Sequence, residues 1–147
     1  MLRTPICDLF GIDYPILLAG MGGVSMAPLV AAVSNAGGLG VMGAAALSPD
    51  GLRAEIRKTK ALTRKPFAVD LLAPLPQMIV PYLPILYEEE VEIFVAGLAV
   101  PEQHVAAMKA HGMKIMVMTG KVKHAVRAER AVAGGRLVAG GGGDAAV

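Results

Sequence analysis

Short apolar runs that are typical of buried strands alternate with helix-like stretches along most of the 147 residues. The predicted strands are residues 16–19, 38–43, 67–72, 93–98 and 114–118. A helix or a broken helix follows each of them, which gives five consecutive strand-then-helix units. Because such a repeat builds a parallel sheet with helices packed against it, the fold class is predicted to be α/β.

The predicted helices carry recognisable end signals. Ser25 is predicted to cap a helix that closes at Gly37, and Ser48 a second helix over residues 49–63. Residues 74–90 hold four prolines, so a broken or irregular helix is expected there. In the 49–63 helix, Leu52, Ile56 and Thr59 are expected to face inward, and the charged residues Arg53, Glu55, Arg57, Lys58 and Lys60 are interpreted as a solvated face.

Two architectures use this repeat: an open doubly wound sheet and a closed barrel of eight units. The length fits an open sheet of five units, since a barrel needs about 250 residues. The first glycine turn, GMGGVS at residues 20–25, does not support a dinucleotide site, because Ser25 stands where GxGxxG requires its third glycine. The turn also lacks the lysine of a phosphate-binding loop.

Composition excludes several classes of protein. A net charge of +2 and the absence of tryptophan argue against a nucleic-acid partner. No apolar run reaches the roughly 18 residues of a membrane span, and the first residues do not resemble a signal peptide. The single cysteine, Cys7, cannot form an intramolecular disulfide, which agrees with a cytoplasmic location. No metal site is expected.

Four segments carry a resemblance to a known family. They are PILLAGMGGVSMAPLVAAVSNAGGLGVMG at residues 15–43, FAVDLLAP at 67–74, FVAGLAVPE at 94–102 and GMKIMVMTGKVKHAVRAE at 112–129. Together they resemble the opening of the nitronate monooxygenase family, formerly called 2-nitropropane dioxygenases, and of the related flavin-dependent enoyl reductases. The resemblance covers residues 5 to 130, and NAGGLGVMG at 35–43 is its most specific part.

The resemblance implies an FMN-binding TIM barrel of which about five of eight units are present. It implies that Met21, Gly22 and Gly23 lie against the flavin through their backbone, although a tight turn alone would also use these glycines. It places Asp70 where the family reaches the cofactor with Asn or Asp, the alternative being a carboxylate that caps a nearby turn. Thr119 and Gly120 are expected to border the same pocket, next to Met118, where many members carry a polar residue.

The implied reaction is the oxidation of alkyl nitronates by molecular oxygen, through FMN, to carbonyl compounds and nitrite. The family's active-site histidine lies in a GGHxG stretch after the sixth strand, where this sequence has RAVAGGRLVAGGGGDAAV. His104, His111 and His124 are predicted to be surface residues of outer helices, so no catalytic residue is assigned. Residues 1–130 are interpreted as a partial barrel, and residues 131–147 as a Gly/Ala-rich tail produced by a shifted reading frame or a truncation, or else as a flexible natural end.

A five-unit barrel segment should leave its first and fifth strands as unpaired edges, which predicts a poorly stable chain or a homo-oligomer. It should also bind FMN weakly or not at all, because the phosphate site of a barrel usually comes from the loops after strands seven and eight. Three alternatives stay open at this point. They are a flavin-dependent enoyl reductase, an independent open α/β module that binds a small phosphate ligand, and a non-catalytic subunit that completes its sheet with a partner.

Overall fold

The computed structural model describes residues 3–72, 76–97, 101–131 and 138–140. From residue 40 onward, strands alternate with helical segments, as the sequence predicts. The elements in order are α1 (Pro5–Phe10), α2 (Ala27–Asn35), β1 (Gly40–Gly43), α3 (Pro49–Leu62), β2 (Phe67–Leu72), a 3-10 helix (Pro76–Tyr82), α4 (Leu83–Glu88), β3 (Ile93–Gly97), α5 (Glu102–Ala110), β4 (Lys114–Met118), α6 (Val122–Ala131) and β5 (Val138–Gly140).

The five strands form one parallel sheet in which each strand pairs with the next one along the chain. A doubly wound sheet reverses its strand order at a switch point, whereas a barrel adds its strands in sequence. The order β1-β2-β3-β4-β5 is therefore that of a barrel wall. It confirms the predicted barrel-type α/β fold and argues against the open module.

The first predicted strand, residues 16–19, is wrong as a strand. Only Leu17 pairs there, through an isolated parallel bridge to Leu39. Leu39 accepts from the Leu18 N–H and donates to the Ile16 carbonyl, but the Ile16 N–H is already bonded to the Tyr14 carbonyl, 2.8 Å away. The turn before Leu17 and the glycine loop after it thus limit the pairing of this segment to a single β-bridge.

The prediction that the fifth strand, now β4, is an unpaired edge is also wrong. Val138–Gly140 forms β5 and pairs in parallel with Met116, Val117 and Met118. This segment belongs to the tail, whose interpretation as a shifted frame or truncation, and whose boundary at residue 130, stay predictions. Residues 132–137 and 141–147 lie outside the described part of the chain, as does Leu98 at the end of the predicted fourth strand.

The second long helix follows its prediction closely. The Ser48 hydroxyl caps α3 by accepting from the Gly51 N–H at 3.1 Å, and Leu52, Ile56 and Thr59 are buried. Ser25, in contrast, does not cap α2: the residue at that position is Met26, which makes no side-chain cap bond. The carboxylate of Glu55 accepts from the N–H of Ala27 instead, at 2.9 Å.

The charged face of α3 is more than a solvated surface, which corrects the prediction. Arg53 and Arg57 donate to one Glu89 oxygen at 3.0 and 2.9 Å, and the Lys60 ammonium donates to the Glu89 carbonyl. Because Glu89 follows α4, these contacts join α3 to the broken helix after β2. The 3-10 helix over Pro76–Tyr82 and the six-residue α4 confirm the predicted interrupted helix, of which residues 74 and 75 lie outside the described part of the chain.

Apolar side chains fill both faces of the sheet. The outer face, which includes Met42, Val69 and Phe94, packs against the helices. The inner face packs against α1 and the residues that follow it, where Cys7, Phe10 and Ile12 are buried. The inner residues of the sheet are Leu39, which precedes β1, and Val41, Ala68, Ile93, Val95 and Met116. Since strand side chains alternate between faces, the next inner positions along the strands form a separate layer toward their carboxyl ends.

Candidate functional site

That layer consists of Gly43, Asp70, Gly97 and Met118, one from each of the first four strands. Two of the four positions are glycines, and the space beside them is occupied by the loop backbone at Met21 and by the side chains of Asp70 and Leu72. Met118 is 36% exposed, and Leu72, the inner residue after Asp70, is 46% exposed. Since barrels place their chemistry at the carboxyl ends of the strands, this open layer is the candidate site.

The glycine loop lies directly on this layer. The N–H groups of Val24 and Ser25 both donate to the Met21 carbonyl, at 3.0 and 2.9 Å, which closes the loop into a tight turn. Gly23 has a φ of 75°, in the left-handed region that favours glycine. A Cβ on Gly43 would stand 2.5 Å from the Met21 nitrogen, so the loop backbone rests on the end of β1.

The outer side of the loop is open. Gly22 and Gly23 are exposed, and a Cβ on either would meet no atom within 4 Å. Met21 is 39% exposed. A planar group could therefore approach the backbone at Gly22 and Gly23 closely, and any side chain at these positions would occupy that space.

The Asp70 carboxyl lies between two glycine backbones. A Cβ on Gly20 would overlap the carboxyl group, and one on Gly97 would stand 3.0 Å from Oδ1. Oδ1 is buried and meets no donor with hydrogen-bond geometry in the described part of the chain, although the Gly97 backbone interacts weakly with the carboxyl. Burial raises the pKa of Asp70 to about 6, and the backbone of Gly97 offsets a smaller part of this effect. Since buried polar atoms normally have partners, Oδ1 is suited to a donor from a bound molecule.

The structure brings some of the expected site residues together. Asp70 lies under Gly20, and the Met21–Gly22 backbone lies on Gly43, which pairs with Asp70 in the β1–β2 register. Thr119 and Gly120 directly follow β4, two strands away from β2. Thr119 is half-buried, and Gly120 is exposed with open space where a Cβ would be.

Sequence reasoning missed Gly43, Gly97 and the position of Ser25. Gly43 and Gly97 end their strands and share the inner face with Asp70, a relation that the two-residue strand period could have shown. No sequence signal distinguished a helix-capping Ser25 from one that bonds to the loop.

The three histidines lie outside this layer. His104 belongs to α5, His111 directly follows it, and His124 belongs to α6. The His111 ring stacks on Tyr87 with ring centroids 3.8 Å apart. These positions agree with the predicted surface location on the outer helices.

A groove of about 660 Å³ lies at the opposite end of the strands, where Phe67, Val91 and Met113 are among its lining residues. In barrels this amino-terminal end serves stability rather than chemistry. Within the described ranges, no group of three His, Cys, Asp or Glu residues could hold a metal ion. No helix in that same part of the chain has the length and apolar character to cross a membrane.

Known proteins resemble this chain in sequence and in fold. An octahydroindene-carboxyl-CoA dehydrogenase of Mycobacterium tuberculosis is 37% identical over 142 residues, which are 97% of this chain and 40% of that protein. A nitronate monooxygenase of Paraburkholderia phytofirmans is 53% identical over 74 residues, which are 50% of this chain and 20% of that protein. The chain thus spans less than half the length of the curated relatives that it matches.

A solved structure gives the same picture. FabK of Thermotoga maritima superposes with a TM-score of 0.84 at 34% sequence identity, over 89% of this chain and 42% of that one. The family model for nitronate monooxygenase matches residues 3–83, more than half of the chain. That range contains the glycine loop, β1 and Asp70. The chain therefore belongs to the nitronate monooxygenase family of flavin-dependent oxidoreductases.

Proposed function

We propose that this chain provides part of the flavin-binding barrel of an FMN-dependent enzyme that oxidises alkyl nitronates to carbonyl compounds and nitrite, with O2 as the electron acceptor. The observation that carries the proposal is the open backbone at Gly22 and Gly23 above the Asp70 carboxyl, at the carboxyl ends of the strands. Family membership supplies the reaction class. The substrate is a small molecule, and neither a nucleic acid nor a membrane is proposed as a partner.

Two features support a flavin at this position. A side chain would fill the space beside Gly22 and Gly23, so the backbone there is suited to a flat ring. The buried Asp70 Oδ1, which has no partner in the described structure, can pair with a polar group of the ring. Bound FMN would supply the electron transfer from substrate to oxygen, and the protein would supply orientation and electrostatics.

Each residue then has a defined task. The backbone of Met21, Gly22 and Gly23 holds the ring, and Thr119 and Gly120 border the pocket from the end of β4. Asp70 positions the cofactor by a hydrogen bond. With its pKa raised to about 6, the carboxyl can hold a proton at weakly acidic pH and donate it, and it accepts once the pH is higher. None of His104, His111 and His124 is assigned a part in substrate deprotonation.

A second candidate is a flavin-dependent reductase or dehydrogenase that acts on an acyl thioester and exchanges hydride with a nicotinamide. The match to the carboxyl-CoA dehydrogenase favours it, because that match covers 97% of this chain. The nitronate monooxygenase match covers 50%. The observed site fits both candidates, since both reactions would use a flavin bound at the glycine loop and Asp70.

Flavin reduction separates the two candidates. The protein, in the longest form that its gene encodes, would be loaded with FMN and mixed without oxygen with propyl-2-nitronate, with NADH or with NADPH. Bleaching of the flavin absorbance by the nitronate, followed by nitrite release when air is admitted, is the expected result. Bleaching by a reduced nicotinamide alone would favour the reductase. No bleaching by any of the three would overturn both.

For the 147 residues alone we propose weak FMN binding, because the described part of the chain has five strands, whereas the loops after strands seven and eight usually hold the phosphate in barrels. Self-association through the remaining sheet edges and a cytoplasmic location also stay predictions. Stoichiometric yellow absorbance of the purified chain would contradict weak binding. Light scattering on the eluted protein would test self-association.

A further inference from the structure

We propose that Ser25 is a positioning residue, whose hydroxyl fixes the Met21–Gly23 loop on the end of β1 in the shape that a ligand meets. The relevance to flavin rests on the function proposed above. The contacts themselves belong to the ligand-free chain, so they can be tested without a cofactor.

The Ser25 hydroxyl is fully buried and fully hydrogen-bonded. Oγ accepts from the Met21 N–H at 2.7 Å and from the Gly43 N–H at 3.0 Å, and the hydroxyl donates to the Met21 carbonyl at 3.0 Å. Its exposed fraction is 0%. A serine hydroxyl offers two acceptor sites and one donor, so these three bonds use its whole capacity.

These bonds join two separate parts of the site. Met21 begins the glycine loop, whereas Gly43 is the last residue of β1 and pairs with Asp70 in the β1–β2 register. The Ser25 hydroxyl therefore connects the start of the glycine loop to the end of β1, beside the Asp70 carboxyl. No other side chain in the described structure donates to or accepts from the backbone of Met21.

Helix capping does not account for Ser25. Met26 occupies the cap position of α2, and Glu55 accepts from the N–H of Ala27. The hydroxyl is instead the one hydrogen-bond partner of the Met21 N–H in the described structure, and it shares the Gly43 N–H with the Ser25 carbonyl, 3.3 Å away. Without the hydroxyl, the Met21 N–H would be a polar group without a partner. Such groups are costly, which gives the serine a specific purpose in the loop.

The loop needs such a restraint because it contains Gly20, Gly22 and Gly23. Glycine has more backbone freedom than any other residue, so a glycine loop samples many shapes unless something holds it. A backbone that binds a flat ligand gains affinity when its N–H groups are already in place. The Ser25 hydroxyl supplies this order, while the side-chain-free outer surface at Gly22 and Gly23 stays open.

The test compares Ser25→Ala with Ser34→Ala by amide hydrogen exchange in the ligand-free chain. Ser34 is a matched control at the other end of β1: it is 1% exposed, accepts from the Gly40 N–H at 3.2 Å and donates to the Pro66 carbonyl at 2.8 Å. In Ser25→Ala, the Met21 amide loses its partner and should exchange about tenfold faster than in the wild type. The Gly43 amide keeps the Ser25 carbonyl and should accelerate by a smaller factor. Both changes are measured relative to any change at the core amide of Phe94. In Ser34→Ala, the exchange rates of the Met21 and Gly43 amides should change no more than that of the Phe94 amide.

Unchanged exchange at Met21 and Gly43 in Ser25→Ala, or an equal loss in Ser34→Ala, would overturn the proposal. If Ser25→Ala does not fold, Ser25→Cys replaces it, since a thiol of similar shape bonds weakly and the same comparison applies. Titration with FMN alone forms a separate arm, in which Ser25→Ala should weaken binding about tenfold and Ser34→Ala should not. If the unsubstituted protein, in the longest form that its gene encodes, binds no FMN, the proposed function fails, while the exchange data still decide the role of Ser25.

Discussion

Gly97 at the end of β3 lies so close to Asp70 of β2 that a methyl group on Gly97 would stand 3.0 Å from Oδ1. Gly20 approaches the same carboxyl from the loop on the other side. The carboxyl thus occupies a slot that only glycine backbones leave open. Water has limited access to this slot, which is why the pKa of Asp70 is raised.

Replacing Asp70 by asparagine should stabilise the ligand-free chain at neutral pH. The native carboxyl has a pKa of about 6, above its ordinary 3.8, so it favours folding least when it is ionised. Stability from this group is therefore present below pH 3.8 and is lost as the pH rises through about 6. The full shift corresponds to about 3 kcal/mol, and partial exposure of the carboxyl reduces the expected gain to about 1 kcal/mol.

Urea unfolding of the wild type and Asp70→Asn at pH 7.5 and pH 4.5 measures this difference. The variant should be the more stable protein at pH 7.5, and the gap should shrink at pH 4.5, where most of the wild-type carboxyl is protonated. A gap that grows as the pH falls would mean that the carboxylate is stabilised in the native state, contrary to the observed slot.

Replacing Gly22 by alanine should weaken FMN binding while leaving the stability of the chain almost unchanged. A Cβ at Gly22 meets open space, so Gly22→Ala is expected to change stability by less than about 0.5 kcal/mol. The added methyl group occupies the proposed flavin surface and should weaken FMN binding at least about tenfold, which is about 1.4 kcal/mol. Thermal melts and FMN titrations of the two proteins test both parts.

Gly20→Ala provides the contrasting variant. Its Cβ would overlap the Asp70 carboxyl, so the loop or the carboxyl must move, at a cost of about 1–3 kcal/mol of stability. If Gly22→Ala destabilises the chain as much as Gly20→Ala does, the outer side of the loop is not open. If Gly22→Ala binds FMN like the wild type, the flavin does not lie there.

Glu89→Gln should lower the free energy of unfolding at neutral pH. It should also reduce the loss of stability that the wild type shows as the pH falls. Hydrogen bonds from Arg57, and more weakly from Arg53, lower the pKa of Glu89, while burial opposes them. A lowered native pKa gives stability that is present above the ordinary value of 4.5 and is lost as the pH falls below it. The side chain is 10% exposed, and we expect a loss of about 1–2 kcal/mol at pH 7.

Urea unfolding at pH 7 and pH 4 tests this, with Glu92→Gln as the control, since Glu92 is an exposed glutamate that precedes β3. Glu92→Gln should stay within about 0.5 kcal/mol of the wild type. Equal effects of the two substitutions would show that the Glu89 contacts do not hold α3 to α4.

The sequence predicted elements wherever local chemistry decides them. β2 has the predicted bounds, because its residues favour strands and turn-forming residues flank them. The start of α3 is also as predicted, because Ser48 caps it and a proline follows the cap. Residues 16–19 failed because pairing depends on a neighbouring strand, here reached only at Leu39. Ser25 was misassigned because its partner Gly43 lies 18 residues away, beyond any local pattern.

The candidate site was predictable in part for the same reason. Resemblance to a family indicated the loop and Asp70, but the slot around the carboxyl arises from Gly20 and Gly97, which meet only in the folded sheet. The charged residues of α3 showed the same limit, since Glu89 lies on a different element.

An NMR titration of the isotope-labelled 147-residue chain with FMN tests the proposed flavin site most directly, because amide shifts report binding even when it is weak. We expect the amides of Gly22, Gly23, Thr119 and Gly120 to shift progressively, with a dissociation constant on the order of 1 mM. A flavin site at the carboxyl ends of the strands would be contradicted if these amides stay fixed at that concentration, or if the shifts fall instead on Lys65, Phe67 and His111 in the groove at the opposite end of the strands.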